Sequence, residues 1–293
     1  MAKQSAFAGQ HTLEKLDAIE RYLRSYQNVL KKFRERGRRT IYFDGFAGTG
    51  DLPKDIDDGG LLKDVEELDK IAAGSARRAL SIEPPFSRYV FVELSRGKAN
   101  ELRALKTEFA DRGDRIEVIQ GDANTEVVNF CDRTDWRMSR AVVFLDPFGN
   151  QVDWSTIARI AKCNIDLWYL FPAHLGINRQ ISGTGVVDDD KAASLDRVFG
   201  TTKWRDAFVS RETIHELDGG RRETAIKQAN ADIVTRFMIQ RMKTVFRGGV
   251  LETWLPLGKN GRHWYSLLFA WGNPSERAGE IASKIADHLM MRK

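Results

Sequence analysis

Four apolar runs in this chain each lead to a carboxylate: Ile41–Phe43 to Asp44, Tyr89–Val92 to Glu93, Ile116–Ile119 to Gly121-Asp122, and Ala141–Leu145 to Asp146. Segments of helical character separate them, and a fifth apolar run, Ile165–Phe171, continues the series. Strands alternating with helices predict a parallel sheet covered on both faces. In such a sheet the carboxyl ends of the strands share one edge, where open α/β folds bind their ligands. An apolar strand has no structural need for a terminal carboxylate. One such acid is accounted for as a helix N-cap. Four in succession point to a common site.

The first acid runs directly into Gly45-Phe46-Ala47-Gly48-Thr49-Gly50. Three glycines in six residues permit a sharp turn and a close approach of backbone to ligand. The spacing is not the Gly-x-Gly-x-x-Gly of dinucleotide sites, and no Walker lysine follows. The acids instead match the donors of S-adenosylmethionine, which carries a sulfonium, an ammonium, a ribose diol and an adenine amino group. Asp44 is expected to hold the ammonium, directly or through water, with the backbone of Phe46, Ala47, Gly48 and Gly50 against the methionine part. Glu93, beside Leu94, has two oxygens to offer two ribose hydroxyls. Asp122, beside Ala123, is placed to accept from the adenine amino group; capping the helix that follows is its other reading.

Asp146-Pro147-Phe148-Gly149 carries the chemistry. It resembles the Asp-Pro-Pro-Tyr signature of methyltransferases acting on exocyclic amino groups of bases. In that signature the Asp side chain and Pro carbonyl accept from the target NH₂, and the aromatic ring stacks on an extruded base. Asp146, Pro147 and Phe148 are the matching catalytic candidates. The second proline is missing and the aromatic residue comes one place early. A strand end followed by an ordinary turn is the plainer reading of the same residues. His174 and Arg179 follow the fifth strand, reach the same edge, and are taken as substrate contacts. No His, Cys or Asp grouping has metal-ligand spacing, so no metal is expected.

The rest of the chain fills in around this core. Leu13, Leu16, Ile19, Tyr22, Leu23 and Tyr26 recur at helical spacing within 11–36. The basic run Lys31–Arg39 reads as a helix stop. Residues 51–73, rich in Asp, Glu and Lys, read as an insertion within a core of 40–172. Residues 1–39 form an N-terminal helical segment. Residues 173–249 show no strand signal, with helices expected at 191–199, 202–208 and 222–244. That region is assigned to substrate or partner binding. Residues 250–257 and 264–270, joined by Gly258-Lys259-Asn260-Gly261, read as an antiparallel hairpin, with a closing helix completing 250–293.

The expected fold is therefore α/β: five strand–helix units ending in a hairpin. This resembles the Rossmann-like class I methyltransferase fold, with a seven-stranded, mostly parallel sheet. The Tyr22-Leu23 helix, Tyr42–Gly50, Gly74-Ser75, Gly121–Asn124, Phe144–Gly149, and Phe171-Pro172 leading to Asn178-Arg179 together resemble the three-Cys-motif partner proteins. That resemblance implies a methyltransferase-like domain paired with a protein carrying a three-cysteine, radical-S-adenosylmethionine-like motif. The present chain lacks that motif, having 2 cysteines, Cys131 and Cys163, and no CxxC.

No apolar run approaches the roughly 18 residues of a membrane span. The N-terminus has no apolar signal core, and the cysteine usage fits a reduced cytoplasm. A net charge of +5 is compatible with a nucleic-acid partner. Three functions remain open: a methyltransferase acting on a base amino group, an accessory partner retaining the fold, and a Mg²⁺-dependent nuclease using Asp44, Asp122 and Asp146.

Overall fold

The computed structural model describes residues 2–48, 74–215, 221–259 and 262–291. Gly50 and the expected insertion at 51–73 lie outside the described residues. Five strands, β1 (Arg39–Asp44), β2 (Arg88–Glu93), β3 (Ile116–Gln120), β4 (Ser139–Leu145) and β5 (Ile165–Phe171), lie parallel in the order β3-β2-β1-β4-β5. Beyond them β10 (Arg262–Trp271) pairs antiparallel with β5, Ser266 opposite Phe171. On the outer side of β10 lie β9 (Leu255–Lys259) and β8 (Gly249–Val250), so the sheet has 8 strands.

The central strands are largely apolar because both faces of the sheet are covered. Ile41, Phe43, Val90, Val92, Ala141, Val143, Leu167, Tyr169 and Leu268 point to one face. Tyr42, Tyr89, Phe91, Val142, Phe144, Trp168, Leu170, Leu267 and Phe269 point to the other. This is the period of two expected of a strand, with an apolar residue at both phases. The first face is packed by α5 (Ala123–Arg133), α6 (Trp154–Ile160), α7 (Asp189–Phe199), α8 (Trp204–Phe208) and α9 (Ala231–Lys243). The second is packed by α1 (Ala2–Val29), α3 (74–80), α4 (Arg96–Glu108) and α10 (Glu276–Met291). A short α2 (Lys31–Glu35) follows α1.

Helix α1 is part of the core layer. Its Leu16, Ile19, Tyr22, Leu23 and Tyr26 are buried at helical spacing, and it packs on α10 and β9. The Tyr22 hydroxyl donates to Asp166 Oδ2 at 2.6 Å, pinning the helix to the start of β5. Burial raises the Asp166 carboxyl to about 6 against the opposing effect of that hydrogen bond.

Three expectations are corrected. The sheet has eight strands where seven were expected, because residues 250–257 do not form one strand: the chain bends at 251–254, giving β8 and β9 on separate parts of β10. The region 173–249 is not wholly helical. Strands β6 (Val209–His215) and β7 (Arg221–Lys227) form an antiparallel ribbon. The helix expected over 222–244 begins only at Ala231, where Asn230 caps it by accepting from Ile233 N at 2.9 Å. Ile226, Ala229, Ile233 and Phe237 mimic a helical repeat across this junction. Arg, Glu and Lys in the two strands have good helix propensity, and only cross-strand pairing overrides it.

Candidate functional site

The carboxyl edge of the sheet opens into a cleft of about 650 Å³. It is lined from the end of β1 by Gly45, Phe46 and Gly48, from β2 by Glu93, Leu94 and Ser95, and after β3 by Gly121 to Asn124. Asp146, Pro147, Phe148, Asn150, Gln151 and Asp153 follow β4, with Leu170, Arg197 and Tyr265 closing the far side. The volume is within the range of small-molecule sites, roughly 300–1,000 Å³.

Phe46, Gly48, Glu93, Leu94, Asp122, Ala123, Asp146, Pro147 and Phe148 are therefore brought together, as their strand-end positions imply. Asp44 and Ala47 are not on the lining. Both are fully buried behind it. Asp44 accepts from Ser75 Oγ at 2.8 Å, from Phe46 N at 3.2 Å and from Tyr42 OH at 3.3 Å. Burial pushes its carboxyl up to about 7; these donors oppose the rise and the charge of Asp146 adds to it. Asp44 thus braces the glycine loop from behind, off the surface of the cleft. Ala47 N donates to Val92 O at 3.0 Å, stitching the loop to β2.

Glu93 is nearly buried and is oriented by Ser95 N, which donates to Oε1 at 2.7 Å. Gly48 lies against it so closely that an added Cβ would stand 2.6 Å from Glu93 Oε2. The glycine is required here for close approach. Asp122 is both a cleft residue and the N-cap of α5, accepting from Thr125 N at 2.9 Å. Asn124 fixes the geometry around it. Its Nδ2 donates to Gln151 O at 2.7 Å, while Asp153 N and Thr156 Oγ1 donate to its Oδ1 at 2.9 and 2.8 Å. The first turns of α5 and α6 are thereby locked together at the cleft. The turn after β4 is held by Phe148 N donating to Gln151 Oε1 at 2.7 Å and by Gly149 at φ +68°.

His174 and Arg179 do not line the cleft. His174 lies in a single π-helical turn (Ala173–Ile177) beyond β5, its Nδ1 within 2.9 Å of Asn178 Nδ2. Burial lowers its basicity, and nearby Lys227, Arg179, Arg262 and His263 lower it further. Asp44 lies behind the cleft that holds Asp122 and Asp146, so the three do not share one metal-binding point. No group of three or more potential metal ligands occurs among the described residues.

Tyr265 and Arg197 were not legible as site residues. Tyr265 belongs to the last strand and reaches the cleft only because β10 inserts beside β5. Its phenol is made less acidic by burial and by the charge of Asp146. Arg197 comes from α7, pairs with Asp153 and donates to Asn150 O at 2.9 Å. No motif marks either residue. The sequence placed Tyr265 in a strand over 264–270 but not beside β5.

The strand order, with its one reversed strand inserted beside β5, is that of the class I methyltransferase fold. No protein-family model matches the chain, and no curated protein does. Among solved structures, the O-methyltransferase TomG from Streptomyces achromogenes, in complex with SAM, is similar at 14% identity. That match covers 72% of this chain and 79% of that one, with a TM-score of 0.36. The O-methyltransferase from Bacillus cereus, in complex with SAH, is similar at 15% identity over 78% of this chain and 98% of that one, with a TM-score of 0.34. Protein LPL1258 from Legionella pneumophila matches at 12% identity over 88% and 97%, with a TM-score of 0.34. At this level the likeness adds no weight, and the fold assignment rests on strand order and direction. No helix among the described residues is long and apolar enough to cross a membrane.

Proposed function

We propose that the protein is an S-adenosylmethionine-dependent methyltransferase whose acceptor is an exocyclic amino group of a nucleic-acid base. The observation that carries this reading is the convergence of Gly48, Glu93, Asp122 and Asp146-Pro147-Phe148 on one cleft. The donor set fits the cofactor. Glu93, Asp122, Asp146 and Asp153 face the cleft, and Arg197, its one Lys or Arg among the described residues, is committed to Asp153. Such a lining favours a cationic ligand with hydroxyl and amino donors. Gly48 leaves the space beside Glu93 that a side chain would fill.

In this reading Glu93 holds the ribose diol, Asp122 and Ala123 flank the adenine, and Phe46 and Gly48 border the methionine part. Leu94, 70% exposed at the rim, supplies an apolar surface for the purine. The bound cofactor supplies an activated methyl group. Asp146 and the Pro147 carbonyl accept from the acceptor NH₂ and orient its lone pair, and Phe148 stacks on the base. Positioning of this kind supplies several kcal/mol of a barrier without a covalent step. The side-chain oxygens of Asp146 also offer the nitrogen's departing proton a nearby acceptor.

Isothermal titration with S-adenosylhomocysteine tests the cofactor site. Glu93→Gln exchanges charge-assisted for neutral hydrogen bonds, a loss of about 1.5–3 kcal/mol and so roughly tenfold to a hundredfold in affinity. Absence of binding, or affinity unchanged in the variant, refutes the assignment. Asp146→Ala is then expected to keep cofactor affinity and lose methyl transfer to nucleic acid. The early aromatic in Asp146-Pro147-Phe148-Gly149, held by Gln151, favours a second reading: an accessory member of the three-Cys-motif partner type. Co-purification with a three-cysteine protein, with no methyl transfer to any DNA or RNA pool, would establish that reading instead.

A further inference from the structure

We propose that the loop after β5 and the start of β10 form a cationic rim that binds the phosphodiester backbone of a single-stranded nucleic acid. The proposal rests on the methyltransferase reading for what happens at the cleft, but on separate residues for binding. Strand β10 runs antiparallel to β5, so its first residues, Arg262 and His263, lie at the edge where β5 ends. The turn Ala173–Ile177 packs against β10 and carries His174, with Arg179 just beyond. Lys227, the last residue of β7, comes in from the ribbon: its Nζ donates to Asn178 O at 2.7 Å and Ile181 O at 2.9 Å. The groups whose charge bears on His174 are Lys227, Arg179, Arg262 and His263, all of them basic side chains. Arg179 and Arg262 are exposed. Asp232, an acid beside this rim, has its Oδ1 within 2.9 Å of His263 Nδ1.

The rim borders the acceptor end of the cleft. Tyr265, which lines the cleft and senses the charge of Asp146, follows His263 by two residues on the same strand. The surface is therefore divided by sign. The cleft is acidic and repels phosphate, while the rim attracts it. A strand lying across the rim keeps its phosphates out of the acidic cleft and leaves an unpaired base free to enter toward Asp146. A duplex would first have to extrude that base, which favours a single strand.

The test is fluorescence anisotropy of short, labelled, mixed-sequence single-stranded RNA and DNA, with a duplex alongside, between about 50 and 200 mM salt. Each phosphate contact on a single strand contributes about 0.7 to the slope of log K against log salt. Arg179→Gln combined with Arg262→Gln is expected to weaken binding and flatten that slope by about 1.4. Arg103→Gln combined with Lys106→Gln, which removes two charges from α4 on the other face, is expected to leave the slope as in the wild type. The RNA and DNA arms show which backbone is preferred. No single-strand binding, or equal slopes for the wild type and the rim variant, overturns the proposal. Titration with S-adenosylhomocysteine on the same samples separates the two readings. Wild-type binding that the rim variant weakens, with no cofactor binding by either protein, would sink the methyltransferase assignment and keep the rim. Cofactor binding with an unaffected slope would sink the rim alone.

Discussion

Asp44 offers a test that needs no substrate. Its carboxyl is fully buried, and burial raises it from 3.8 to about 7. The unfolded chain therefore releases this proton at lower pH than the folded protein, which binds more protons between those values. Stability must then fall as pH rises. The contribution is fully present below about pH 4 and is lost as pH passes through about 7. Each pH unit between the two values is worth about 1.4 kcal/mol, so the total loss is about 4 kcal/mol. Asp44→Asn removes the titration. Its amide nitrogen forces the Ser75 hydroxyl to turn, a cost that does not depend on pH. Asp166, raised to about 6, titrates with the same sign in both proteins and cancels in the difference. Urea denaturation at intervals from pH 4 to pH 8.5 measures both curves. The wild type should lose several kcal/mol relative to the variant across that interval. Parallel curves would mean that the buried carboxyl is already ionised near pH 4, and the account of Asp44 as a braced, protonatable support would be wrong.

Other perturbations address single contacts. In Gly48→Ala the new Cβ stands 2.6 Å from Glu93 Oε2. The carboxylate must move, and S-adenosylhomocysteine affinity should drop at least roughly tenfold, about 1.4 kcal/mol, without loss of the circular dichroism of the fold. Asp122→Ala deletes the acceptor for Thr125 N and should cost about 1 kcal/mol in urea denaturation, whereas Asp122→Asn retains the cap and most of that stability. Equal losses in the two variants would show that the cap contributes nothing. Trp168→Ala removes a fully buried ring packed 5.1 Å from Tyr22 and 4.9 Å from Phe269 and should cost about 3–5 kcal/mol. A loss below about 1 kcal/mol would mean that the surrounding rings collapse into the space.

The central strands β1, β2 and β4 were legible because they are buried on both faces, which leaves an apolar run that leads to a carboxylate. Glu93, Asp122 and Asp146 could be read as neighbours for the same reason: parallel strands bring their carboxyl ends to one edge whatever the side chains between them. The charged ribbon β6–β7 was not legible. Its two strands pair with each other, His215 opposite Arg221, while the Arg, Glu and Lys within them favour helix. Asp218-Gly219-Gly220, between the two strands, was the hairpin composition available for this ribbon.

Asp44 shows where local reading stops. It occupies the same position on its strand as Glu93 does on β2, yet one faces Ser75 and Tyr42 behind the loop and the other faces the cleft. The sequence by itself determined the alternation, the shared edge and the acidic character of the site, since these follow from periodicity and strand direction. Only the tertiary structure decided which carboxylates line the cleft, that Tyr265 and Arg197 complete it, and that Arg179, Lys227 and Arg262 all come near His174. Those placements depend on β10 entering antiparallel beside β5 and on α7 and β7 returning to the same edge. Such long-range juxtapositions are set by packing of the whole chain and leave no local pattern to read.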